Sequence, residues 1–134
     1  MHAAHRFYFG LATLLAGGTL ALADTPQLQR KLLLSEPSAQ ARVDVVQAEV
    51  TIPVGGVAPL HTHPGDEASY VISGTVELRV GDKPPIELTA GQAFHIPAGV
   101  PHSARVIGEV PVKLAGTWFV AHGQALATPV PAAQ

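Results

Sequence analysis

From Asp24 onward the chain never sustains the 3.6-residue apolar period of a packed helix. Short alternating stretches are cut instead by glycine and proline, which number 13 and 12 in 134 residues. Alternation sends side chains to opposite faces of an extended strand, and each proline removes a ladder donor. Such a chain buries its apolar residues by stacking or closing sheets, so the expected class is all-β, a sandwich or barrel. The clearest strand region is residues 69–80, where Val76, Leu78 and Val80 share one face and Thr75, Glu77 and Arg79 the other. Gly74 marks a bend or bulge within it. Further strands are expected over residues 29–34 (an edge), 42–52, 86–88, 93–96, 103–107 and 112–120, with turns at 54–57 and 81–85.

Composition narrows the class further. A chain of 134 residues is short for two domains, and 47% hydrophobic with 13% charged residues supports a packed core rather than disorder. Net charge is -2 with no basic run, which excludes a nucleic-acid partner. The absence of cysteine excludes disulfides, thiolate metal sites and Cys nucleophiles. No Gly-rich phosphate loop precedes a helix, and no serine sits in a nucleophile elbow. Asp66 and Glu67 are adjacent and diverge on a strand, so they cannot flank one glycosidic bond.

Residues 1–23 read as a signal peptide. Arg6 is the fixed positive charge, residues 7–23 are uncharged and mostly apolar, and Ala21-Leu22-Ala23 fits the small-x-small cleavage rule, leaving Asp24 as the mature N-terminus. The apolar stretch falls short of the ~20 residues of a spanning helix, so no stable membrane insertion is expected after cleavage; an uncleaved anchor is the alternative. No Cys follows for lipid attachment. The expected location is periplasmic or secreted, with residues 24–134 forming one domain whose barrel core spans about 40–123 and whose C-terminal tail, 124–134, is extended.

Four residues carry the chemistry. His61 and His63, two positions apart, project to the same side of a strand. Glu67 joins them if the strand resumes in phase after Pro64-Gly65, and His102 follows the stiff segment Pro97-Ala98-Gly99-Val100-Pro101. Three imidazoles and a carboxylate suit a first-row divalent metal and leave room for water or substrate. Burying them without a partner would cost several kcal/mol.

These residues fall in two blocks. From Gly55 there are five residues to His61, one to His63, three to Glu67 and six to Gly74; from Gly91 there are five to Pro97, then Gly99 and His102. The blocks resemble the first and second motifs of the cupin superfamily, here a small single-domain cupin. The family usually carries Asn four residues after the last His, where this chain has Val106. The resemblance implies a double-stranded β-helix, or jelly roll, with His61, His63, Glu67 and His102 as ligands of one metal in its mouth. Iron or manganese leads the expectation, with zinc, nickel or copper as further options. It also implies that Glu67 doubles as a catalytic base.

Other candidates carry structural readings. His95, out of phase with Phe94 and Ile96, is expected at the surface, as is His122. Tyr70, Trp118 and Phe119 are expected to pack, Asp66 to face away from the metal, and Arg105 to be a solvated strand residue. The leading functional expectation is an oxidoreductase of dioxygenase type acting on a small oxygen-rich organic molecule. The rival is a non-catalytic, metal-dependent binding or sensing domain, and the third is a purely structural barrel. A homodimer through the apolar Leu32-Leu33-Leu34 edge is the expected assembly.

Overall fold

The computed structural model describes residues 26–40 and 42–131, so the expected signal peptide lies outside the described residues. Among those residues there is no helix, and hence none long and apolar enough to cross a membrane. The strands are β1 (Gln29–Pro37), β2 (Val43–Ile52), β3 (Val57–Thr62), β4 (Glu67–Ser73), β5 (Thr75–Val80), β6 (Ile86–Thr89), β7 (Ala93–Ile96), β8 (His102–Val106), β9 (Val112–Ala121) and β10 (Thr128–Pro129). They form two five-stranded antiparallel sheets, ordered β1-β2-β9-β4-β7 and β10-β3-β8-β5-β6. The chain passes from one sheet to the other at Gly74, whose φ of 81° lies in the left-handed region that glycine enters without a Cβ penalty. Neighbours such as β2 with β9 and β3 with β8 are far apart in sequence, which gives the expected all-β jelly roll.

Alternation supplies the core. On β9, Val112, Leu114, Trp118 and Val120 face inward while Lys113, Phe119 and Ala121 face out. Ile52, Val71, Val76, Ile96 and Val112 are fully buried between the sheets, each contributing roughly 1.5–3 kcal/mol by leaving water. Val76 and Leu78 lie inward as their shared face requires.

The structure runs past both expected limits of the 40–123 core. β1 pairs with β2 from Gln29 opposite Thr51 to Pro37 opposite Asp44, with an irregularity between Leu32 and Leu34. β10 pairs with β3, Thr128 opposite Thr62 and Pro129 opposite His61, and the Val130 amide donates to the Leu60 carbonyl at 3.0 Å. Both additions cover sheet edges that would otherwise leave backbone donors and acceptors unpaired. Thr128 and Pro129 of the tail are thereby tied to the strand that carries His61.

Candidate metal centre

β3 delivers His61 at its C-terminal end, and His63 follows it directly. The chain then turns through Pro64, Gly65 and Asp66 and crosses to the other sheet, with Glu67 as the first residue of β4. That turn lies against β9. A Cβ on Gly65 would stand 1.4 Å from the Phe119 carbonyl oxygen, so only glycine fits there. The Phe119 amide donates to the Asp66 carbonyl at 3.0 Å and completes the seat. His102 opens β8 opposite His61.

The loop before His102 is fastened to the first motif. The Gly99 amide donates to the His63 carbonyl at 2.8 Å, and the Ala98 amide to Asp66 Oδ1 at 2.9 Å. Asp66 also lies 3.2 Å from His95 Nε2, with both side chains more than half exposed. The Ala98 amide first, and then His95, lower the Asp66 carboxyl below its usual range. Asp66 therefore ties the two ligand-bearing segments together and faces away from the centre, and His95 is at the surface, both as expected. His122 is exposed beside Asp44, and Arg105 is exposed in a two-point contact with Glu77.

His61, His63 and His102 each bring a ring nitrogen within 4.8 Å of the others' and form a group able to hold a metal ion. Their other nitrogens explain why. His61 Nδ1 donates to the Pro59 carbonyl at 2.7 Å, His63 Nδ1 to the Leu126 carbonyl at 2.6 Å and His102 Nδ1 to the Val100 carbonyl at 2.9 Å. A carbonyl only accepts, so each Nδ1 carries the proton and each Nε2 presents a lone pair. A backbone acceptor behind a histidine is the arrangement that orients imidazoles toward metals.

Glu67 faces the same space. Its Oε2 lies 3.0 Å from His63 Nε2 and 3.4 Å from His102 Nε2, while Ser69 Oγ donates to Oε1 at 2.5 Å. Burial works to raise the Glu67 carboxyl, while the His102 and His63 rings when protonated, together with the Ser69 hydroxyl, hold it well below the usual range. His61 is lowered to about 4, chiefly by desolvation, with His102 and His63 adding to the effect. His63, Glu67 and His102 are buried, and His63 Nε2 makes no hydrogen bond despite its short approach to the carboxylate. A buried lone pair aimed at an ionised carboxylate is repulsive and lacks a cation between them. The donor set thus fits a divalent ion.

The centre opens into a cavity of about 40 Å³, walled by apolar residues including Val50, Ile52, Leu78 and Leu114. Trp118 packs its indole 5.5 Å from the His63 ring, in the space that Gly116 leaves; a Cβ on Gly116 would stand 2.3 Å from the indole. Packing was the expected role of Trp118, and it is also a wall of the centre. Sequence reasoning missed Ser69 and Leu126. Ser69 was findable, since it lies two residues past Glu67 on the same strand face. The Leu126 carbonyl was not, because a backbone acceptor 63 residues away from His63 leaves no mark in side-chain spacing.

An antiparallel two-sheet barrel with a largely buried three-histidine group defines a class of small metal-site barrels. Within that class, residues 48–120 match the cupin domain, and the chain belongs to the cupin family. It is 33% identical over 81 residues to an uncharacterized protein of Methanocaldococcus jannaschii, covering 60% of this chain and 65% of that one. It is 30% identical over 73 residues to the dimethylsulfoniopropionate lyase DddQ of Ruegeria pomeroyi, covering 54% of this chain and 36% of that one. The chain thus spans less than two thirds of either relative. Among solved structures, oxalate decarboxylase of Bacillus subtilis superposes with a TM-score of 0.58 at 24% identity, covering 64% of this chain and 24% of that one, a likeness of fold.

Proposed function

We propose that His61, His63, Glu67 and His102 hold one divalent transition metal, iron or manganese ahead of zinc, nickel or copper, and that the protein is an enzyme of dioxygenase type acting on a small oxygen-rich organic molecule. The observation that carries this reading is the set of inward Nε2 lone pairs, each secured by a backbone carbonyl behind it. An iron or manganese ion held there would supply Lewis acidity and a redox couple toward dioxygen. The chain's own residues do the rest. Ser69 fixes the Glu67 carboxylate, which stays ionised and is the catalytic base candidate. The apolar wall excludes water, and the small cavity admits the reacting end of a substrate. Among the described residues, no acid or base lines the cavity beyond the proposed ligands, which favours activation by the ion over base-driven elimination.

The test is oxygen uptake by anaerobically prepared protein loaded with Fe(II) or Mn(II), offered enediols, polyphenols, oxalate and dimethylsulfoniopropionate. Oxalate and dimethylsulfoniopropionate are the compounds on which the similar oxalate decarboxylase and DddQ act. Turnover that disappears in Glu67→Gln supports the reading; stoichiometric metal with no turnover on any substrate overturns it. That second outcome supports the rival, a metal-dependent binding or sensing module, which the same lack of acid and base groups favours.

Two further expectations belong to this reading. The protein acts in the periplasm or outside the cell, so its mature form should begin at Asp24 on N-terminal sequencing. Leu32, Leu33 and Leu34 lie exposed on edge strand β1, with Leu32 61% exposed, and support a homodimer, which light scattering would detect.

A further inference from the structure

The mouth of the centre is built by segments outside the cupin-matched residues 48–120. Leu28 and Arg30, at the start of the edge strand, line both the inner cavity and an adjoining outer one of about 200 Å³, whose wall also takes Ala127 and Pro129. His61 and Ala58 are common to both cavities, so the outer one leads to the histidines.

Arg30 pairs with Val50, whose side chain points into the barrel, so Arg30 lies on the inner face of β1. Its guanidinium carbon stands 5.8 Å from the centroid of the Trp118 ring, within range of a cation–π contact. Among the described residues no carboxylate pairs with Arg30. Glu67, the carboxylate of the inner cavity, accepts from Ser69 and faces His63 and His102 instead. Arg30 thus stands at the cavity wall without a carboxylate partner, and a ligand can bring one.

Charge points the same way. With a divalent ion in place, three neutral imidazoles, one carboxylate and one guanidinium leave two uncompensated positive charges around the cavity. A neutral ligand would leave that excess standing; each carboxylate of an organic acid would cancel one unit of it, and a dicarboxylate all of it. We infer that Arg30, steadied over the Trp118 ring, recognises the carboxylate of a small organic acid that enters through the outer cavity with its other end toward His61. The charge argument rests on the metal reading above; the Arg30 contact does not. A guanidinium in this position offers the two-pronged donor geometry that suits a carboxylate and that a lysine lacks.

Trp118 is the single tryptophan of the chain and reports on this wall directly. Malonate, with malonamide as its neutral counterpart, is titrated into the parent protein, Arg30→Gln and Arg30→Lys, each metal-free and after zinc loading, while indole emission, zinc content and melting temperature are followed. Malonate should change the emission saturably and malonamide should not. Arg30→Gln should weaken malonate tenfold or more, and Arg30→Lys by less, with zinc content and melting temperature unchanged. Equal malonate affinity in parent and Arg30→Gln, or equal binding of malonate and malonamide, overturns the inference. So does the lack of any saturable response to malonate. If zinc does not bind but malonate still depends on Arg30, the metal reading falls and this one stands; if zinc binds and Arg30→Gln is without effect, the reverse holds.

Discussion

His63 donates its Nδ1 proton to the carbonyl of Leu126 at 2.6 Å, so a residue beyond the last long strand sets the tautomer of a residue in the first metal motif. A chain ending at Gln124 loses that acceptor, and with it the strand β10 that pairs beside His61. Removing such a partner typically weakens metal affinity ~10–100-fold. Competitive metal titration of the truncated protein should show a loss in that range, while Leu126→Ala, which keeps the carbonyl, should stay near the parent. Parental affinity in the truncated form would refute the role given to Leu126.

Removal of metal should also lower stability, because an ion bound to the folded chain alone stabilises it by mass action. At free metal one hundred times its dissociation constant the gain is about 2.7 kcal/mol. Parent protein should therefore melt several degrees lower after chelation. His102→Ala removes the ligand proposed for the second motif and should make the melting temperature indifferent to chelator. A parent curve that does not move with chelator, with no metal by elemental analysis, would instead support a structural barrel.

The strands were legible because alternation is a short-range rule, and the three histidines that meet at the centre because they fall in two recognisable blocks. Alternation assigned the inward faces of residues 76–80 and 94–96; His61 and Glu67 instead meet across the two sheets, because the Gly65 turn carries the chain from β3 to β4 and not along one resumed strand. What stayed hidden depends on tertiary neighbours. Arg30 reads as an ordinary charge on an edge strand; only its pairing with Val50 turns it toward the cavity. Asp66 was expected to face away from the centre, yet its clamp on the Ala98 amide joins segments 32 residues apart. Such links leave no periodicity for a sequence to display.

Gly65→Ala should be severely destabilising. The added Cβ would stand 1.4 Å from the Phe119 carbonyl oxygen and 2.6 Å from its carbon, and both are strand backbone that cannot swing aside. Relief requires moving the turn that joins His63 to Glu67, so packing and ligand geometry fail together. A loss of about 3 kcal/mol or more is expected, at the upper end of overpacking effects. Urea denaturation should show a lowered midpoint for Gly65→Ala, together with weaker metal binding. An unchanged midpoint would mean that β9 does not hold this turn as described.

The metal-free protein should lose stability on mild acidification, and His61 gives the sign. Its folded value lies near 4 against an ordinary 6.5, because desolvation, with His102 and His63, disfavours the charged ring. Between those values the unfolded chain binds the proton and the folded chain does not. Protonation therefore favours unfolding, and stability falls as pH drops from about 6.5 toward 4, with this contribution constant above that window. Carboxylates complicate the lower end, since Glu77, held down to about 2 chiefly by Arg105, adds its own loss below its ordinary 4.5. The comparison is cleanest between pH 6.5 and 4.5, where the His61→Gln profile should be flatter than that of the parent. Parallel profiles for the two proteins would show that the His61 ring stays as easy to protonate in the fold as outside it.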